Sequence, residues 1–151
     1  MAIAAGWGHS LAIDRAGNAW SWGGNGTGAL GDGTHEMRAV PFQIEGLTGV
    51  VAVSAGNWHS LALAKDGTVW AWGNNGTGQL GDGGTIEHDK PALVKGPADA
   101  IEIAAGNWHS LALKKDGTVW GWGNNAVGQL GDKSNVTRAS PVQAVLPAPH
   151  F

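Results

Sequence analysis

The sequence lacks several features that mark common classes of protein. It has no cysteine, which excludes disulfides and zinc–thiolate sites and leaves the redox compartment unreadable. No run approaches the roughly 18 apolar residues of a membrane span, and no basic-then-apolar secretory signal follows Met1. Nine scattered Lys and Arg residues against twelve acidic ones give a net charge of −3, without the clustered basic face that nucleic acid requires. We expect neither nucleic acid nor a membrane as a partner, and localisation stays open with a slight preference for the cytoplasm.

The chain is rich in glycine and tryptophan, with 26 and nine residues respectively, and it has no tyrosine. Its apolar fraction of 42% is that of a globular protein, and 151 residues suit a single domain. The glycines recur at fixed positions rather than in low-complexity tracts, which indicates many tight turns.

A nine-residue stretch explains this regularity. AGNWHSLAL occurs at residues 55–63 and 105–113, and a looser copy, AGWGHSLAI, occupies residues 5–13. A fixed period in this range is typical of a solenoid or propeller. We therefore divide the chain into a single array of three repeats, at about 1–49, 50–99 and 100–151. The spacing of 50 also relates three sets of structural positions: His9, His59 and His109; Trp22, Trp72 and Trp122; Gly31, Gly81 and Gly131.

The middle copy predicts four short strands. VVAVSA (50–55), HSLALA (59–64) and TVWAW (68–72) have strand composition, and Asp66-Gly67 predicts a type I′ hairpin turn between the last two. PALVKG (91–96) predicts the fourth strand, with its proline at the first position; the equivalent strand of the third copy, PVQAV, is expected to run to residue 145. Both faces of the hairpin carry apolar or small residues, so each sheet needs a neighbour on either side. We predict an all-β, propeller-type array of four-stranded units.

At this point a family resemblance is evident. AGNWHSLALAKDGTVWAWGNNGTGQLGDG resembles the repeat of the regulator of chromosome condensation family, which implies β-propeller blades and, typically, a ring of seven. Copy one departs with Trp7-Gly8 in place of Asn-Trp, and copy three with Ala126-Val127 in place of Gly-Thr. The near-identity of copies two and three fits recent amplification or deliberate design.

Three blades are too few for a closed ring, since propellers have about 4 to 8. The sequence therefore predicts self-association, with homodimerisation into a six-bladed ring favoured over an extended array or a fragment of a longer protein. The expected partner is thus the chain itself, as a homo-oligomer.

Three repeated patterns have a structural interpretation and a chemical one. Residues 26–31 and 76–81 match G-x-G-x-x-G, but no helix can follow, so turns are favoured over a dinucleotide site and no cofactor is expected. The repeated histidines could ring a metal on the axis; a structural role, tying backbone groups at a strand corner, is favoured. Asp32, Asp82 and Asp132 are expected to form Asx turns rather than calcium sites. Every catalytic candidate occurs once in each repeat, whereas a catalytic site is usually asymmetric. We therefore expect that the protein is not an enzyme and has no catalytic residue.

The corner before each histidine is the best candidate for protein binding. It contains Trp7, Asn57, Trp58, Asn107 and Trp108, and the resemblance implies an end of the ring that inhibitor-type and exchange-factor-type members use to bind proteins. The structural interpretation, in which each tryptophan folds over its own blade as a lid, is slightly favoured over this role.

The sequence predicts a non-enzymatic scaffold that self-associates and has a potential protein-binding end for a partner not yet identified. Enzyme inhibition and guanine-nucleotide exchange with chromatin binding are the alternatives. The near-identical copies argue against the first. The resemblance implies that nucleotide exchange uses an inserted wedge and that DNA binding uses a basic tail; neither is found in this sequence, which argues more strongly against the second.

Overall fold

The computed structural model describes residues 1–147, and the last four residues assigned to repeat 3 lie outside the described part. Three four-stranded antiparallel sheets follow one another along the chain, each built from four consecutive strands. Blade 1 contains β1 (Ala2–Ala5), β2 (His9–Ile13), β3 (Ala19–Gly23) and β4 (Arg38–Gln43). Blade 2 contains β5 (Val50–Ala55), β6 (His59–Ala64), β7 (Val69–Gly73) and β8 (His88–Leu93). Blade 3 contains β9 (Ala100–Ala105), β10 (His109–Lys114), β11 (Val119–Gly123) and β12 (Arg138–Gln143). The predicted all-β, propeller-type fold is confirmed.

The strands of each blade run in sequence order from the inner edge outward. The first strands of neighbouring blades contact one another, β1 with β5 and β5 with β9, so this side of every sheet faces the centre of the array. The fourth strand forms the outer edge. Within residues 1–147 no helix is long and apolar enough to cross a membrane.

The outer strands differ from their predicted bounds. β8 begins at His88 rather than at Pro91, so the proline lies within the strand, where the β7–β8 register shifts between Ala71 and Gly73. A proline is tolerated there because an outer strand pairs on one side only and a bulge leaves one residue without a ladder partner. Likewise β12 ends at Gln143, two residues before the predicted end.

The hairpin forms where Asp66-Gly67 predicts it, but the turn type is different. The amide of Gly67 donates to the carbonyl of Ala64 (2.9 Å), and the amide of Ala64 donates to the carbonyl of Thr68 (3.0 Å). Gly67 has φ +83°, whereas Asp66 is not among the positive-φ residues. The loop is therefore a three-residue type I turn closed by a glycine bulge, not a type I′ turn. Asp66 Oδ1 accepts from the amide and hydroxyl of Thr68, at 3.0 and 2.7 Å, which stabilises this turn.

The core lies between the blades rather than within them. One cluster joins blades 1 and 2, where Leu11 and Ile13 pack against Ala62 and Trp72. The second joins blades 2 and 3 in the same way, with Leu61, Leu63 and Val69 against Ala112 and Trp122. A single blade would leave these residues in water, so each blade is stabilised by its neighbours.

Within residues 1–147 the outward faces of blades 1 and 3 are therefore not covered by a neighbouring blade. Ser10, Ala12 and Trp22 of blade 1 are half-buried, although their counterparts in blades 2 and 3 are buried; we call this surface the leading face. We call the opposite surface, on blade 3, the trailing face. Its residues are half-buried, although their counterparts in blades 1 and 2 are buried. They are His109, Leu111, Leu113 and Val119.

Candidate interaction surfaces

The histidines of blades 1 and 2 reach across the blade boundary, in addition to lying against the glycine of their own corner. His9 Nε2 lies 2.9 Å from the hydroxyl oxygen of Ser60, and His59 Nε2 lies 2.9 Å from that of Ser110. Each serine in turn donates to a backbone carbonyl of the preceding blade, Ser60 to Ala29 and Ser110 to Gln79, both at 2.8 Å. The expected structural role is thus carried out between blades, because the repeat places the histidine and the serine on opposite faces of one strand.

The hydrogen-bond pattern defines the tautomer of His59. The carbonyl of Gln79 can only accept, so the Ser110 hydroxyl proton points towards it and the proton shared with His59 comes from Nε2. Nδ1 is then unprotonated, and it is buried without a partner among residues 1–147. An extra proton on Nδ1 would find no acceptor there.

Burial keeps these imidazoles neutral. Desolvation lowers the pKa of His9 to about 4, an effect partly offset by a hydrogen bond with the His59 backbone. The pKa of His59 falls to about 3, chiefly through burial and then through repulsion from His9 and His109. Burial also lowers the pKa of His109, whose ring is on the open trailing face. Within residues 1–147, no group of three His, Cys, Asp or Glu side chains is arranged to hold a metal ion.

The second tryptophan of the Trp-x-Trp pair packs against a glycine of the preceding blade in blade 2 (Trp72) and in blade 3 (Trp122). A Cβ added to Gly81 would lie 2.8 Å from Cδ1 of Trp122, so only glycine lets the indole lie this close. Gly31 has the same relation to Trp72, whose Nε1 donates to the carbonyl of Ala29 at 2.8 Å. Within residues 1–147 no tryptophan lies at Gly131, where an added Cβ would lie 3.4 Å from Cβ of Ala144.

A threonine in the glycine-rich loop makes a further contact between blades that the sequence analysis did not identify. Thr27 Oγ1 donates to the backbone carbonyl of Trp58 (2.9 Å), and Thr77 Oγ1 donates to that of Trp108 (3.0 Å). The recurrence of this threonine at a spacing of 50 residues is the signal in the sequence that could have indicated the contact. The third copy has Val127 at this position and cannot make the bond.

The tryptophans before the histidines lie at the solvent-facing corner. Trp7 is 71% exposed and Trp108 37%, while Trp58 is half-buried because the Trp7 ring packs against it with centroids 4.4 Å apart. Asn107 is exposed and Asn57 half-buried. The three blades therefore present a partly open aromatic row.

The repeated aspartates form the expected Asx turns, and a buried asparagine completes each loop. Asp82 Oδ1 accepts from the amide of Gly84 (2.9 Å) and from Nδ2 of Asn75 (3.1 Å). The same Asn75 also donates to the carbonyls of Gly84 and Ile86 and accepts from the amide of Leu80. The Asp82 carboxylate and the carbonyl oxygens of Gly84 and Ile86 therefore accept hydrogen bonds from within the loop.

Comparison with known proteins places this architecture. Two models of the regulator of chromosome condensation (RCC1) repeat match the chain, one at residues 16–63, 66–113 and 116–148, the other at 2–29, 50–79 and 100–129. The chain belongs to the RCC1 repeat family. The first RCC1 model begins at the hairpin turn, so each of its first two matches spans the last two strands of one blade and the first two of the next, and its third match covers β11 and β12. A sequence search of curated proteins finds no match.

Solved RCC1-type structures share the fold. Human WBSCR16 is 28% identical, with a TM-score of 0.85 over 96% of this chain and 39% of its own. Prp20p from Saccharomyces cerevisiae, described with its binding to Gsp1p and histones, is 22% identical with a TM-score of 0.85 over 96% of this chain and 38% of its own. Yeast Prp20 bound to Kap60 is also similar, at 22% identity and a TM-score of 0.69, over 98% of this chain and 49% of its own. The chain thus spans about two fifths of the length of the first two structures.

Proposed function

We propose that this chain is a non-catalytic RCC1-type scaffold that self-associates head to tail and presents a protein-binding end. The observation that carries the self-association is the complementarity of its two end faces. The trailing face has the histidine and the leucines that point into the next blade, and the leading face has the serine and the tryptophan that receive them. Each face is half of the interface that already joins the blades inside the chain.

Head-to-tail pairing of different surfaces either closes a ring or grows into a filament. Two chains would give six blades, within the range of about 4 to 8 found in propellers. Closure would cover both leading faces and both trailing faces, and with them the half-buried Trp22 and Leu111. We therefore favour a closed dimer over an open array.

The solution mass of the 151-residue chain, measured by light scattering over a range of concentrations, tests the self-association. We expect a stable mass of two chains. A single-chain mass at all concentrations would refute self-association, and a mass that increases continuously with concentration would replace the ring with an extended array.

The second component is a protein-binding role for the aromatic corner. The exposure of Trp7 and Trp108 supports it, because large rigid aromatics at a surface are preferred anchors of protein interfaces. Iodide should quench the exposed Trp108 and spare the buried Trp72 and Trp122. The double variant Trp58→Ala with Trp108→Ala should still fold. Loss of folding would show that the row is structural.

The partners of the solved relatives offer an alternative class. Prp20p is described with Gsp1p, histones and Kap60, and a nucleotide-exchange or chromatin role would be the corresponding function here. We favour it less, because the three copies are in register without the insertion that exchange requires and the Lys and Arg residues are scattered.

A further inference from the structure

Copies one and three depart from the common repeat at positions that would face each other if two chains joined end to end. Copy one has Trp7-Gly8 where copies two and three have Asn-Trp, and copy three has Ala126-Val127 where the others have Gly-Thr. An inference drawn from these two departures rests on the self-association proposed above. It adds which residues of the two chains are in contact.

The internal seams define the geometry. In both, the loop threonine of one blade bonds to the backbone of the residue just before the histidine of the next blade: Thr27 to Trp58, and Thr77 to Trp108. Position 127 is the equivalent of Thr77, and position 8 is the equivalent of Trp108. A second copy that continued the array would therefore bring its Gly8 to Val127 of the first.

The side chains at this third seam fit an apolar contact in place of a hydrogen bond. Val127 has no hydroxyl to donate and is 86% exposed in the single chain. A Cβ placed on Gly8 would have nothing within 4 Å, so the corner has space, and the adjacent Trp7 is 71% exposed. Valine and tryptophan would each lose apolar surface to water on contact, which is favourable.

We infer that Val127 of one copy packs into the Trp7–Gly8 corner of a second copy. The neighbouring groups are complementary in the same register. His109 of the first copy faces Ser10 of the second, the carbonyl of Gln129 is available to that serine, and Trp22 of the second copy covers Gly131 of the first. Because only this seam has valine opposite glycine, the departures distinguish the joint between chains from the two joints within a chain.

Engineered cysteines test the inference directly, since the chain has none of its own. In the double variant Val127→Cys with Gly8→Cys, oxidation should link two chains through two disulfides, with roughly tenfold more covalent dimer than either single variant gives. The matched control is Thr77→Cys with Trp108→Cys, which occupies the same two positions at an internal seam and should close within one chain.

A charge provides a second test that does not depend on disulfide geometry. Val127→Asp should raise the dissociation constant of the dimer by tenfold or more, because the seam would bury an unpaired carboxylate. Val51→Asp is the control: Val51 is 53% exposed although blade 2 has neighbours on both sides, so it lies outside the seams.

The outcomes separate this inference from the proposed function. If the unmodified chain is a single-chain species, self-association fails and this seam fails with it. If the chain does self-associate, the inference is overturned when the internal pair cross-links and the Val127/Gly8 pair does not, or when Val127→Asp dissociates the dimer no more than Val51→Asp.

Discussion

The imidazole of His59 and the hydroxyl of Ser110 lie 2.9 Å apart across the boundary between blades 2 and 3, and both side chains are buried. The hydroxyl of Ser110 in turn donates to the backbone carbonyl of Gln79, which belongs to blade 2. One histidine–serine pair thus ties two strands and a loop from two blades together. The His-Ser dipeptide therefore contributes a polar connection to a blade boundary that also contains the apolar core.

Removing the serine hydroxyl should weaken this boundary. Ser110→Ala leaves Nε2–H of His59 and the carbonyl of Gln79 buried without their partner, which costs about 1–3 kcal/mol of unfolding free energy. Urea denaturation measures the loss. Ser140→Ala, at an exposed position of the same blade, should change the midpoint little. Equal midpoints for the two variants would contradict the role of the histidine–serine bond.

The buried histidines should make the protein sensitive to acid. The pKa values of His9 and His59 are lowered from 6.5 to about 4 and about 3, so between pH 6.5 and these values the unfolded state binds more protons than the folded state. Their contribution is fully present above pH 7 and decreases as the pH falls, by a few kcal/mol in total on an order-of-magnitude basis. Urea midpoints recorded from pH 8 to pH 4 test this.

Replacement of one histidine provides the control for that titration. In His59→Gln the amide can still donate to Ser110 but does not titrate, so the decline of stability between pH 7 and pH 4 should become shallower. An unchanged slope would show that other groups cause the acid sensitivity.

The repeat period was enough to predict the blades, because each 50-residue unit contains its own strand composition, turns and apolar alternation. The hairpin at Asp66-Gly67 could be located for the same reason. Its turn type could not, since Asp-Gly suits both the type I′ turn and the type I turn with a glycine bulge. The side-chain bonds between Asp66 and Thr68, which accompany the second form, depend on geometry that the dipeptide signal does not contain.

The side-chain contacts between blades were not predicted from the sequence. A repeat shows that His59 and Ser60 recur, but not that the histidine pairs with the serine 51 residues later. The roles of Thr27 and Thr77 were missed for the same reason. Stacking brings together residues from different copies, so these partners become visible only when neighbouring sheets are placed side by side.

Close backbone contact near the centre of the array makes Gly56 intolerant of any side chain. An added Cβ would lie 2.3 Å from Cε1 of His59 and 2.5 Å from the carbonyl oxygen of Gly106 in the next blade. Gly56→Ala must therefore shift backbone at a blade boundary, and we expect a loss of about 3 kcal/mol or more. Gly26→Ala is the control, because a Cβ there has nothing within 4 Å. Comparable stability of the two variants in thermal melts would contradict the close packing.

One position of the repeat differs between the blades and predicts a difference in their stability. In blades 1 and 3 the loop aspartate is paired with an arginine, Arg38 or Arg138, whereas in blade 2 Asp82 is paired with His88 at 2.6 Å. Burial raises the pKa of Asp82, but the hydrogen bonds from His88, the Gly84 amide and Asn75 outweigh it and the net shift is downward. The carboxylate is thus charged near neutral pH, and a guanidinium, which is always charged, can pair with it through two N–H donors.

His88→Arg should therefore stabilise the protein near neutral pH by about 0.5 kcal/mol, given the partial exposure of the pair. The reverse exchange, Arg38→His, should cost a similar amount of stability in blade 1. Urea midpoints of the two variants and of the parent chain provide the comparison. A midpoint that falls in His88→Arg would mean that the loop of blade 2 does not accommodate the arginine pairing of blades 1 and 3.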